Sequence, residues 1–94
     1  MEIIFKKSFI KALKATPKSV QEATAIAIDK LQNAPSLEKS GVDYKRMEGQ
    51  KKGENYYRIR IGDWRIGLEY IKPKVIIITI LPRGDIYKKF PPEN

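Results

Sequence analysis

The chain has neither cysteine nor histidine among its 94 residues. Without cysteine, disulfide bridges and thiolate metal sites cannot form. Without histidine, the chain lacks the commonest metal ligand and the side chain best placed to act as a base near neutral pH. Any catalysis therefore falls to arginine, lysine, tyrosine or carboxylates. Long hydrophobic runs are missing too. The longest, Val75 to Leu81, falls well short of the roughly 20 residues that span a bilayer. The opening Met1-Glu-Ile-Ile-Phe-Lys-Lys7 holds no apolar stretch of signal-peptide length, so a cytoplasmic protein is expected. Acidic residues are scarce, 11 against 19 Lys and Arg, for a formal charge of +8. That imbalance points to polyanionic partners, either nucleic acid or an acidic protein. The length suits a single domain, residues 1–94, and no repeat, linker or low-complexity segment divides it.

What is present is concentrated in Tyr57-Arg-Ile-Arg-Ile-Gly-Asp-Trp-Arg-Ile-Gly67. Gly62-Asp63 between two alternating apolar/polar runs signals a two-residue hairpin. Counting outward pairs Ile61 with Trp64, Arg60 with Arg65, Ile59 with Ile66, and Arg58 with Gly67. Alternation puts Ile59, Ile61, Trp64 and Ile66 on one face and Arg58, Arg60 and Arg65 on the other, with Tyr56 beside the arginines. Arg60 opposite Arg65 is a repulsive pair by itself, which suggests an anion between them. Gly67 opposite Arg58 predicts a hollow.

The remaining elements are helices first, then strands. Glu2–Phe5 reads as a strand. Ser8 is a candidate N-cap for a helix to about Ala15, and Thr16-Pro17 reads as N-cap and first turn of a second helix to about Asn33. In that helix Val20, Ala23, Ala27 and Leu31 form an inward stripe flanked by Ile26 and Ile28. A short strand is expected over Tyr44–Glu48 and a loop over Gly49–Glu54. Three strands follow, at about 55–61, 64–71 and 74–81, the last apolar enough to be covered on both faces. The fold class is α+β: two N-terminal helices packed on one face of a mostly antiparallel four- to five-stranded sheet. The arginine face is then expected to be open and concave, with Phe90, Ile3 and Phe5 in the core. An Arg83-Gly84 turn would bring Tyr87 back over the arginines.

Two helices, Tyr-Arg-Ile-Arg-Ile, Gly-Asp, Trp-Arg-Ile and a terminal Arg-Gly-Asp-Ile-Tyr together resemble the RelE/ParE toxin superfamily. The resemblance implies the toxin half of a type II toxin–antitoxin pair. RelE-type members cut messenger RNA in the ribosomal A site. Arg58 and Arg60 match the family's basic residues on the third strand, and Arg65 the arginine after the hairpin turn. Arg83 matches the basic residue ending the last strand, and Tyr87 the tyrosine of the tail. Many members carry a histidine just before the equivalent of Arg83. Here that residue is Pro82, which leaves the Arg/Lys/Tyr version of the mechanism.

The chemistry is accessible to these residues. RNA supplies its own nucleophile, the 2′-hydroxyl, so an enzyme need only align it, stabilise charge and move two protons, with no metal or other cofactor. Arg58, Arg60 and Arg65 are candidates to brace the phosphate. Arg83 is the candidate for the leaving oxygen, and Tyr87 for the base or for stacking. Glu69, on the same face, is an alternative base. Lys51, Lys52, Lys88, Lys89 and Tyr56 are candidate RNA contacts. Two other readings stand beside this one: a ParE-type inhibitor of DNA gyrase, and a catalytically degenerate member that binds only its antitoxin. The resemblance also implies a cognate antitoxin, often acidic, through which operator DNA would be contacted. Messenger RNA and the ribosome would be the remaining partners.

Overall fold

The computed structural model describes residues 1–91 of the chain. Strand β1 (Glu2–Phe5) leads into helices α1 (Lys7–Lys14) and α2 (Lys18–Gln32). Strands β2 (Tyr44–Arg46), β3 (Tyr56–Ile61), β4 (Trp64–Ile71) and β5 (Lys74–Pro82) follow, and helix α3 (Arg83–Lys89) closes the chain. The sheet order is β1-β5-β4-β3-β2, with β1 parallel to β5 and every other pair antiparallel. No helix among the described residues is long and apolar enough to cross a membrane.

The β3–β4 hairpin has the register that counting predicts: Ile61 faces Trp64, Arg60 faces Arg65, Ile59 faces Ile66 and Arg58 faces Gly67. Gly62 turns at φ +58° while Asp63 keeps a negative φ, as a turn with glycine in its first central position requires. The apolar side of this hairpin packs under α1 and α2. Phe9, Ala27 and Leu31 meet Ile59, Ile61, Ile66, Leu68, Val75, Ile77 and Ile80 there, all buried.

Neither proposed N-cap is used. Lys6 precedes α1 without a side-chain cap, and the Ser8 hydroxyl donates to the Ile78 carbonyl on β5. The Thr16 hydroxyl donates to the Leu13 carbonyl at 2.7 Å, finishing α1, and Pro17 takes the capping position of α2. Both hydroxyls are committed as donors to carbonyls instead. Phe5 also departs from expectation: it is 41% exposed, stacked on Phe9 at 5.8 Å at the sheet's edge rather than in the core.

A register shift between β4 and β5 bears on the site. Gly67 pairs with Thr79 and Leu68 with Ile77, leaving Ile78 as an extra residue in β5. The bulge resets the alternation, so Val75, Ile77 and Ile80 all serve the α1/α2 core while Ile78 and Leu81 face the other side. There they meet the element that sequence reading missed. Residues 83–89 form a helix, not a turn, and α3 packs Ile86, with Phe90 just beyond it, onto the arginine side of the sheet beside Met47 and Tyr56. The arginine face is thus partly roofed and not open.

Candidate active site

Three features of the sheet hold α3 in place. Its first amide, on Arg83, donates to the Asp63 carbonyl at the hairpin turn, 2.9 Å away. Ile86 is fully buried, and Phe90 is buried with its ring edge-on to Tyr56 at 5.5 Å. Gly67 provides the room: a Cβ there would lie 2.9 Å from three atoms of the Phe90 ring. The hollow expected beside the arginines exists, but Phe90 fills it.

This docking brings Tyr87 to the arginines. The Nε–H of Arg58 donates to the Tyr87 hydroxyl at 3.2 Å, while the tyrosine remains 61% exposed. Arg65 is buried. Its Nη1 donates to the Gly62 and Trp64 carbonyls at 2.7 and 2.9 Å, which ties the guanidinium to its own hairpin. The Arg65 Nε and the Arg58 Nη1 are buried without hydrogen-bond partners among the described residues. Arg58 Nη1 lies 4.0 Å from Asp43 Oδ1, a loose ion pair to an exposed carboxylate. Two guanidiniums thus converge on one phenol with donors in reserve, an arrangement suited to an oxyanion.

The ionisation of Tyr87 reflects this. Burial pushes its phenol up, but the hydrogen bond and charge of Arg58, with the charge of Arg65, outweigh it and lower the pKa overall. Tyr56 goes the other way. Burial raises it first, and the charges of Glu69 and Glu54 add to the effect. Glu69 faces Tyr56 across the hairpin and contributes nothing to the ionisation of Tyr87.

The structure therefore gathers Arg58, Arg65 and Tyr87, and spreads the other candidates around them. Arg83 is exposed on the first turn of α3, four residues before Tyr87 and so on the same helix face. Arg60 faces Arg65 across the hairpin but is exposed and borders the groove against α2. Tyr56 is half-buried packing for Phe90 rather than a free ring. Lys51 and Lys52 are exposed on the loop before β3, and Lys88 and Lys89 on the last turn of α3. No group of three acidic residues among the described residues could hold a metal ion.

A cleft of about 400 Å³ opens beside Tyr87, between α3 and the β2–β3 edge. Arg58, Tyr87, Phe90 and Pro91 line it together with Lys45, Arg46, Met47 and Glu48. The β2 contribution was missed from sequence. Lys45 stands directly opposite Arg58, a position that depends on how the loop over residues 47–55 closes.

The whole-chain comparisons agree with this fold. A family model described as ParE toxin of type II toxin-antitoxin system, parDE, matches residues 3–87. The chain belongs to the RelE/ParE family of toxins. The match runs from β1 to Tyr87 itself. Among curated RelE/ParE relatives, Toxin RelE3 of Methanocaldococcus jannaschii is 37% identical over 91 residues, covering 97% of this chain and 100% of that one. Among solved structures, the RelB-RelE antitoxin-toxin complex from Methanococcus jannaschii superposes with a TM-score of 0.76 at 36% identity, over 94% of this chain and 99% of its counterpart. The archaeal RelE-RelB complex from Pyrococcus horikoshii OT3 gives 0.67 at 27% identity, over 88% and 94%.

Proposed function

We propose that this toxin is a metal-independent endoribonuclease that cuts messenger RNA on the ribosome by 2′-hydroxyl attack. The observation that carries this reading is the Tyr87 hydroxyl held 3.2 Å from Arg58 Nε, with its pKa lowered by Arg58 and Arg65. A lowered phenol pKa makes the phenolate more available as a base. In the proposed step the 2′-hydroxyl gives its proton to the Tyr87 phenolate and its oxygen bonds to phosphorus. The bond from phosphorus to the 5′-oxygen breaks, leaving a 2′,3′-cyclic phosphate and a 5′-hydroxyl. Arg58 and Arg65 stabilise the charge on the phosphoryl oxygens, with Arg60, exposed across the hairpin from Arg65, steering the strand. Arg83 stabilises the leaving oxygen. The proton that oxygen takes up comes from solvent, because a guanidinium does not release its own in proteins. Glu69 lies opposite Tyr56 across the hairpin and does not line the cleft beside Tyr87, so we assign the base to Tyr87. The exposed Lys51, Lys52, Lys88 and Lys89 act as general phosphate contacts for message and ribosomal RNA.

The partner we assign is a cognate antitoxin in the cytoplasm. The two archaeal counterparts were solved in complex with RelB, and a chain of charge +8 is complementary to an acidic wrapping segment. Operator DNA would be met through that complex.

Induced expression of the wild type beside Arg65→Ala and Tyr87→Phe, with primer extension on a translated reporter, tests the reading. Growth arrest with new 5′ ends inside codons, lost in both variants, is the expected result. The matching family model carries the ParE name, which favours gyrase inhibition as the second reading. Arrest with intact messages, unchanged by either substitution, would select it.

A further inference from the structure

Among the described residues only one ion pair lies within 4.0 Å, and it joins Arg58 to Asp43. The chain carries 19 Lys and Arg, so cations are plentiful and a single one is paired. That one is the arginine whose Nε–H meets Tyr87. Its other charged neighbours add cations or stand apart. Lys45 of β2 is directly opposite Arg58, and Arg65 of β4 shares its face. Glu48 lines the same cleft and Glu69 faces Tyr56, but neither forms an ion pair within 4.0 Å. Asp43 is therefore the one counter-charge that Arg58 has.

Asp43 is mounted for this contact. Val42 and Tyr44 on either side of it pack against the core under α1 and α2, so alternation sends Asp43 to the arginine side. Its carbonyl accepts the Arg60 amide at 2.8 Å, which fixes its backbone to β3. The carboxylate itself is exposed, so the pair adds little stability. Its consequence is geometric. A guanidinium is planar, with Nη1 on the side of Cδ and Nε–H on the opposite side. Arg58 is held at both, by Asp43 at Nη1 and by Tyr87 at Nε. Turning that plane would break one contact or the other.

We infer that Asp43 is a positioning residue: by drawing Arg58 Nη1 to itself, it holds the Nε–Nη2 edge of the guanidinium towards Tyr87 and the reacting phosphate. Its effect on cleavage rests on the nuclease reading above. Its effect on Tyr87 does not.

The test follows the Tyr87 phenol through pH in the free protein, by carbon-13 labelling of tyrosine with Tyr87→Phe to assign the signal. Asp43→Asn can act in two ways of opposite sign. As a nearby charge alone, the carboxylate disfavours the phenolate, and its removal would let Tyr87 ionise at lower pH. As the holder of Arg58, its removal loosens the hydrogen bond that favours the phenolate, and Tyr87 ionises at higher pH. The shift to higher pH is expected, with an unchanged melting temperature and with Asp43→Glu close to the wild type. In an Arg58→Gln background, Asp43→Asn should shift nothing further. Single-turnover cleavage should fall about tenfold in Asp43→Asn, within the roughly hundredfold that a 1 Å misplacement can cause. It should recover in Asp43→Glu. A shift to lower pH, no shift, or the same shift without Arg58 would overturn the inference. A shift to higher pH in a protein that cuts no message would uphold the positioning and overturn the nuclease alone.

Discussion

The two faces of this sheet are built on opposite principles. Under α1 and α2 the surface is apolar throughout, and Leu31, Ile66, Leu68, Val75 and Ile77 are sealed from solvent. Under α3 the roof rests on a small cluster of Met47, Ile86 and Phe90 with Tyr56, Ile78 and Leu81 against it, and beside that cluster Arg58 and Arg65 of the sheet meet Tyr87 of the helix. One face stabilises the fold, and the other uses that rigidity to hold charged groups at fixed distances. Burying two guanidiniums with unused donors is unfavourable by itself. The sheet tolerates it because the opposite face supplies most of the apolar burial.

Substitutions that act on one face only will sharpen the contrast. The largest effect should come from Tyr87→Phe, which removes one exposed hydroxyl. Cleavage should fall by about 10²–10⁴ if the phenolate is the base, while stability stays within about 0.5 kcal/mol. Single-turnover cleavage and a thermal melt measure both. Leu68→Ala should do the reverse, costing about 2–5 kcal/mol of stability and lowering activity only through the unfolded fraction. Urea titration would show it.

Gly67→Ala breaks the separation between the faces, because the new Cβ meets the Phe90 ring at 2.9 Å. Displacing that ring should cost about 1–3 kcal/mol and loosen α3. Cleavage should then drop although no charged residue has changed. Faster amide exchange over residues 83–89, with β4 still protected, is the check.

A subtler effect concerns pH. Arg58 lowers the Tyr87 pKa, and burial raises it. In Arg58→Gln the raising influence persists and the larger lowering one is lost, so the phenol ionises at higher pH. The rising limb of the pH–rate profile should move to higher pH, apart from any loss of maximal rate. The smallest change should follow Lys88→Ala on the exposed last turn of α3, within about 0.5 kcal/mol in stability. It should bring only a modestly weaker salt dependence of RNA binding.

The hairpin was legible in the sequence because everything about it is local. Gly62 fixes the turn, and the strict alternation of Tyr57–Ile61 and Trp64–Gly67 fixes which side chains share a face. The near-continuous apolar run of β5 likewise announced burial on both sides. Helix α3 was not legible. Gly84 reads as a turn residue, and the pair that makes a helix worthwhile, Ile86 and Phe90, has value only against Gly67 and Met47. The place of Lys45 and Glu48 on the cleft wall was hidden for a similar reason, since it depends on pairing across a loop.

The sequence by itself determined the RelE/ParE architecture, the hairpin register and the placing of Arg58, Arg60 and Arg65 on one face. Short-range periodicity and one turn dictate the register and the shared face, while the architecture came from the resemblance of the whole chain to that family. Only the tertiary structure decided which candidates meet. It buried Arg65, left Arg60 exposed by the groove against α2 and Arg83 exposed on the first turn of α3, filled the hollow at Gly67 with Phe90 and set Tyr87 against Arg58. Those outcomes follow from the packing of a seven-residue helix across the sheet. No local pattern encodes such packing, because its free energy comes from surfaces that are far apart in the chain.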